Sequence, residues 1–209
     1  MLNLLKVILF ILFLQSMFFW PTWNLRPGIV HISVLFFLLF YFIKTETKLQ
    51  KSYITNIFSI LLLIVIVYQN VNSSLAIINW ISNLSLALIF IFVLHLKKDI
   101  HIDLLDFITK WFSILMIPSI FIYVILFFIE FKPVNTLVEE SYGLFYNYIF
   151  FVKSTSIYIL NRFNGPFLEP GHLGMITCFL LAANKFYLYN KYNIILFITL
   201  ILTFSLAEI

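Results

Sequence analysis

The chain has 209 residues, of which 63% are hydrophobic, 20% aromatic and only 11% charged, with a mean hydropathy of +1.05. Soluble domains carry about 25% charged residues, so this composition argues against a soluble globular domain and for an integral membrane protein. The formal net charge of +4 does not point to nucleic acid, because the basic residues are scattered through short segments between apolar runs.

The first apolar run, Val7 to Trp20, follows Lys6 and ends at W-P-T-W. No small-residue cleavage site follows it, so an uncleaved anchor is expected rather than a signal peptide, with Trp20 and Trp23 at headgroup level. Pro27 and Gly28 open the second run, further runs follow near 54–68 and 75–94, and the linker H-L-K-K-D-I-H-I-D-L-L-D then carries most of the local charge. A fifth run, Phe107 to Ile129, contains Pro118, which should kink it. The expected fold is all-α, a polytopic transmembrane helical bundle of about seven spans in a single membrane domain, 1–209. The spans are placed at 4–20, 28–43, 54–68, 75–94, 107–129, 173–189 and 194–207, with an outer loop at 130–172. Several runs fall short of the ~20 residues that cross a ~30 Å hydrocarbon core, which leaves their ends loosely defined. Cys178, the single cysteine, lies in an apolar run and forms no intrachain disulfide.

Orientation follows from the 13 Lys and Arg residues. With the N-terminus cytoplasmic, Lys6, Lys44, Lys48, Lys51, Lys97, Lys98, Lys110, Lys185 and Lys191 fall inside, while Arg26, Lys132, Lys153 and Arg162 fall outside. The apolar, Tyr-rich stretch Leu144–Leu160 competes as a further span. Lys153 and the adjoining Ser154, Thr155 and Ser156 argue against that, and an amphipathic element at the outer interface is expected instead, with Tyr142, Tyr146, Tyr148 and Tyr158 at headgroup depth.

The densest stretch is R-F-N-G-P-F-L-E-P-G-H-L-G, Arg162 to Gly174. Pro170 suits the first position of a helix, Glu169 then falls at the N-cap, and Gly171 and Gly174 leave one helical face bare for a headgroup or a neighbouring helix. Free amides at a helix start attract anions, and an arginine returned by the Asn164-Gly165-Pro166 turn would offer a forked charge to phosphate oxygens. Each residue also has a plainer reading. Arg162 can snorkel to headgroups, Glu169 can simply cap, and His172 is either a general base or an interfacial hydrogen-bonding residue. Arg26 and His31, near the outer end of the second span, either join the site or anchor the helix. Glu139 and Glu140 read as solvated loop charges, the Lys97, Lys98, Asp99, Asp103, Asp106 group as a cytoplasmic surface, and His95 and His101 lack a zinc spacing.

This stretch, entering an apolar helix, resembles the R-x-x-G-x-F-x-x-P-x-x-x-G motif of the O-antigen ligase and Wzy-type polysaccharide polymerase superfamily, with Arg162, Gly165, Phe167, Pro170 and Gly174 at the matching positions. The order of elements is similar too: several spans, an outer loop, the motif, another span, then T-x-S, here Thr203-Phe204-Ser205. The resemblance implies a metal-independent glycosyltransferase on the outer face of the bacterial plasma (inner) membrane, without cofactor. Its substrate would be an undecaprenyl-diphosphate-linked glycan and its acceptor a lipid-linked repeat unit, or lipid A core for a ligase. Other polysaccharide-assembly membrane proteins would be its partners. The chain departs from the pattern where Leu206, Ala207 and Glu208 follow T-x-S, and where the later spans and larger outer loop of the family are missing, so a truncated product holding part of the site is expected. The candidate substrate-binding residues are Arg162, Gly165, Pro170, Gly171, Gly174 and Arg26, and the candidate catalytic residues are His172 and Glu169. A transport or flippase component gated at the Gly/Pro breaks, and a scaffold without chemistry, are the competing classes.

Overall fold

A computed structural model of the chain describes residues 2–17, 19–22, 27–45, 74–139, 143–154, 163–167 and 169–203. It is predominantly helical: α1 (Leu2–Ser16), α2 (Pro27–Lys44), α3 (Ser74–Leu94), α4 (Lys98–Ile125), α5 (Pro170–Ala183) and α6 (Lys191–Thr203), with a short 3-10 turn at Trp20–Thr22. Among the described residues one helix, α4, is both long and apolar enough to cross a membrane, and shorter apolar helical stretches cover Leu2–Ser16, Gly28–Lys44, Ser82–Leu94, Pro170–Ala183 and Lys191–Thr203. The expected third span, 54–68, lies outside the described residues.

Two expectations are corrected. The charged linker after α3 is not a loop: α4 starts at Lys98, nine residues before the apolar run at 107. Asp99 in its first turn faces the positive helix end, and nothing between 98 and 106 breaks a helix, so the helix extends where hydropathy alone shows only charge. The helix also continues through Pro118 as one element. The second correction concerns the loop 130–172, where an all-α fold leaves no strand. The chain there forms a three-stranded antiparallel meander, β1 (Asn135–Glu139), β2 (Gly143–Asn147) and β3 (Val152–Ser154), in the order β1-β2-β3. Val138 pairs with Leu144, Thr136 with Tyr146, and Tyr146 with Lys153. The described part of Leu144–Leu160 is thus a pair of strands and their turn, rather than a single amphipathic rod. Its period-two pattern, with Phe145 and Asn147 buried between the exposed Leu144 and Tyr146, is hidden by overall apolarity.

The chain packs as two units, Met1–Gln15 with Trp23–His101, and Ser16–Thr22 with Ile102–Ile209. In the first, α2 and α3 lie side by side and run in the same direction. A Cβ on Gly28 would stand 3.6 Å from Ser82, and further along Phe42 meets Phe92 with ring centroids 5.1 Å apart. Leu5, Leu38 and Ile89 form its buried centre. Beside them α1 and α3 border an open apolar cavity of about 550 Å³, lined by Leu9, Leu12, Leu86 and Phe90 with the amide of Asn83.

In the second unit α5 runs antiparallel to both its helical neighbours. Asn184, past its end, donates to Thr109 Oγ1 of α4 (3.0 Å), whereas Gly174 near its start faces Thr203 at the end of α6. These helices bury small hydroxyls along with large apolar side chains such as Phe112, Met116, Leu173, Leu180 and Leu196. Thr109, Ser113, Ser119, Thr177 and Thr199 are all inside, while Trp111, Phe121, Met175, Phe179, Phe197 and Ile201 are outside. The buried hydroxyls donate to carbonyls: Thr177 Oγ1 to Leu173 (2.6 Å), Thr199 Oγ1 to Ile195 (2.8 Å), and Ser113 Oγ to Thr109 (2.7 Å), with the Tyr192 carbonyl of α6 3.1 Å away.

Candidate functional site

The motif is the hinge of the second unit. Asn164 to Phe167 form a β-turn closed by the Phe167 amide on the Asn164 carbonyl (3.2 Å). Gly165, its first central residue, has φ +56°, and Pro166 follows it with φ held negative by its ring, the pattern of a type II′ turn. A Cβ at Gly165 would reach van der Waals contact with Leu173 Cδ2 (3.4 Å) and Met116 Sδ (3.5 Å), so it is the backbone conformation that calls for glycine and a larger side chain would crowd both neighbours. On either side Phe163 and Phe167 are fully buried. Phe163 stacks on Phe151 (6.0 Å) and meets Tyr123 edge-on (5.3 Å); Phe167 lies between Phe19 (5.7 Å) and Phe112 (5.9 Å). Two aromatic anchors thus lock the turn before the helix begins.

Backbone bonds tie the turn to two distant strips of chain. The Val152 amide of β3 donates to the Gly165 carbonyl (2.8 Å), and the Trp20 amide donates to the Pro166 carbonyl (3.2 Å). Trp20 donates through Nε1 to the Ile149 carbonyl (2.6 Å) in the turn between β2 and β3. That turn is strained. Ile149 has φ +72°, and the Phe150 amide bonds back to the Tyr148 carbonyl at 2.9 Å, which makes a γ-turn in a region a β-branched residue rarely enters. Three side chains compensate: Asn147 Oδ1 accepts from the Ile149 amide (2.8 Å), Trp20 holds the Ile149 carbonyl, and Ser119 Oγ donates to the Phe150 carbonyl (2.5 Å). None of Trp20, Ser119, Asn147 or Ile149 stands out in the sequence as part of the site. Asn147 alone carries a signal, a polar residue at an inward position of an alternating strand.

Helix α5 begins as the motif suggests. Pro170 occupies the first turn and Glu169 is the N-cap, in extended conformation (φ −121°, ψ 127°), yet its carboxylate makes no capping bond. It turns to His172 instead, with Oε2 3.3 Å from Nδ1, and both side chains are partly exposed. The two candidate catalytic residues are therefore in contact, and the helix start keeps its leading amides uncapped by side chains. Gly171 is open, with nothing within 4 Å of where a Cβ would stand. Gly174 is different: a Cβ there would lie 3.0 Å from Thr203 Oγ1, so its bare face is occupied by α6. Gly174, read as substrate-binding, is a helix-packing residue, because the short side chain lets two helices approach. Gly165 is likewise a buried turn residue, out of a ligand's reach. Pro170 and Gly171 remain at the open helix start.

Arg162 and Arg26, the two candidate anion-binding arginines, lie outside the described residues, as do Glu140, Phe204 and Ser205. His31 packs within the first unit, its Nδ1 2.9 Å from Ser82 Oγ and 3.2 Å from the Ser82 carbonyl, which is a helix–helix contact. His95 Nδ1 donates to the Ile91 carbonyl (2.6 Å) at the end of α3. Burial, followed by Tyr146 and Glu130, raises the Tyr148 hydroxyl above the usual tyrosine range, so it stays protonated near neutrality and is no candidate base. Among the described residues no group of three or more His, Cys, Asp or Glu side chains could hold a metal. No family model, curated protein or solved structure matches the chain.

Proposed function

We propose that this chain is a multi-pass protein of the bacterial plasma membrane with a cytoplasmic N-terminus and seven spans. In this reading it works in cell-surface polysaccharide assembly as a metal-independent polymerase, moving a glycan from undecaprenyl diphosphate to a lipid-linked acceptor. The membrane reading is supported by the large apolar side chains that α4, α5 and α6 leave exposed, among them Trp111, Phe121, Met175, Phe179, Phe197 and Ile201, while small hydroxyls are buried beside Phe112, Met116, Leu180 and Leu196. In water such a surface promotes aggregation; in lipid it is the favourable arrangement, and the buried hydroxyls are satisfied by helix carbonyls. A third span at 54–68 is supported by the parallel α2 and α3, since parallel neighbours need a return crossing between them. The antiparallel α4 and α5 support a loop 126–169 that leaves and returns on one side.

The observation that carries the catalytic reading is the open start of α5. There an uncapped helix N-terminus at Pro170 and Gly171 adjoins the Glu169–His172 pair, eight residues after Arg162. Diphosphate oxygens would meet the helix amides and the Arg162 guanidinium. Glu169 would orient the ring through Nδ1, and Nε2 of His172 would take the proton of the acceptor hydroxyl as that oxygen bonds to the anomeric carbon. The bond from that carbon to the diphosphate breaks, and the departing charge is matched by the arginine and the helix end. A ligase would run the same steps onto lipid A core.

The test is photo-crosslinking of the chain in lipid nanodiscs with a polyprenyl diphosphate analogue. The expected label falls within 162–174 and drops at least several-fold in Arg162→Ala; label confined to α1, α2 and α3 would overturn the reading. Reporter fusions that put residue 162 in the cytosol would overturn it as well.

A further inference from the structure

The sheet between α4 and α5 has two unlike faces. Inward it presents Phe145 and Asn147, 2% and 1% exposed, and outward Val138, Leu144 and Tyr146, 73%, 39% and 37% exposed, with the exposed Thr136 opposite Tyr146. The register groups the outward residues into one surface, since Val138 pairs with Leu144, and Tyr146 pairs with Lys153 on its other side. The face is therefore amphipathic, with aliphatic Val138 and Leu144 at one end and Thr136, Tyr146 and Lys153 at the other. The segment that leads from α4 is also apolar and exposed at Phe128 and Ile129, 83% and 62% exposed. Because α4 is the helix long enough to cross a bilayer, its end fixes the level at which this surface begins.

We propose that the outward face of the sheet, with Phe128 and Ile129, is a membrane-docking surface that lies in the headgroup–acyl boundary of a phospholipid bilayer. The proposal rests on the reading of α4 as a span. The chemistry of the face suits that boundary: aliphatic Val138 and Leu144 enter the acyl region, the Tyr146 ring sits with its hydroxyl toward water, and Lys153 beside it reaches the phosphate level. Electrostatic attraction is not the driving force. Between 130 and 153 two lysines, Lys132 and Lys153, stand against three glutamates, Glu130, Glu139 and Glu140, so the segment offers no net positive charge to anionic lipid. A second copy pairing along edge strand β1 fits less well, since Pro133 and Glu139 flank or end that short strand, both features that discourage edge pairing. The surface has a consequence for the candidate site. Val152 of β3 is bonded to Gly165, so a docked sheet sets the depth at which α5 begins.

The test uses spin labels on single cysteines at Val138→Cys and Leu144→Cys in a Cys178→Ser background, with the chain in phosphatidylcholine nanodiscs. Ile198→Cys on the outer side of α6 is the lipid reference and Lys98→Cys the water reference, both exposed positions. The expected ratio of oxygen to nickel-chelate accessibility at 138 and 144 is several-fold above that at 98 and below that at 198, and is unchanged by added salt. Water-like ratios at 138 and 144 with a lipid-like 198 overturn the docking while leaving the membrane reading intact; water-like ratios at all sites overturn both. Labels shielded from both reagents overturn it in favour of a protein partner on this face, and ratios that fall with salt overturn it in favour of electrostatic adsorption.

Discussion

The two packing units use different means to hold their helices. In the first, α2 and α3 meet through Phe42 on Phe92 and the close pass at Gly28, with His31 on Ser82 as a polar contact, beside an open apolar cavity. In the second, the chain crosses itself by directed bonds: Trp20 to Ile149, Ser119 to Phe150, Val152 to Gly165, Asn184 to Thr109. Non-directional packing tolerates small shifts and substitutions of similar volume. Directed bonds to a strained turn and a positive-φ glycine do not, and a site that must hold two charged partners in register needs the second kind of scaffold. The candidate site lies in the unit built that way.

Substitutions that remove this difference should rank in a definite order. Gly165→Val should be the most damaging, since forcing a side chain to φ +56° costs about 1–2 kcal/mol and crowding Leu173 and Met116 about 1–3 kcal/mol more, read as a fall in thermal unfolding midpoint in nanodiscs. Gly174→Leu should come next, at about 1–3 kcal/mol, by wedging α5 from Thr203 of α6; Gly171→Ala, with open space around it, should leave stability within about 0.5–1 kcal/mol of the parent. Asn147→Ala leaves the Ile149 amide and Asn135 Oδ1 without their bonds and should cost about 1–3 kcal/mol, with hydrogen exchange rising first in the turn 147–152. In the first unit, Ser82→Ala should cost only about 0.6 kcal/mol, the usual worth of a polar contact between membrane helices. If Ser82→Ala proves as damaging as Gly165→Val, the contrast between the units fails.

The legible parts were the local ones. Pro170 at a helix start and Glu169 before it follow from proline's ring geometry and can be read from neighbours in the chain. The Asn164-Gly165-Pro166 turn was legible for a related reason, because glycine accepts the positive φ a turn demands and proline fixes its own. Gly174 was ambiguous in principle. A bare helical face invites a headgroup or a helix equally, and the choice fell to Thr203, 29 positions away. The strands went unread because in a chain this apolar the inward Phe145 and outward Leu144 weigh alike, so alternation leaves no trace in hydropathy.

By itself the amino-acid sequence determined that the chain is predominantly helical, the described helices to within a few residues except at the start of α4 and the end of α5, and the backbone geometry where the motif enters α5. Each of these depends on composition or on contacts between near neighbours. Tertiary structure alone decided that loop 130–172 contains a sheet, that Trp20 ties the first helix's exit to the turn at Ile149, and that Glu169 pairs with His172 instead of capping its helix. Those outcomes turn on which distant backbone groups and side chains compete for each partner, and that competition is settled only when the chain has closed on itself.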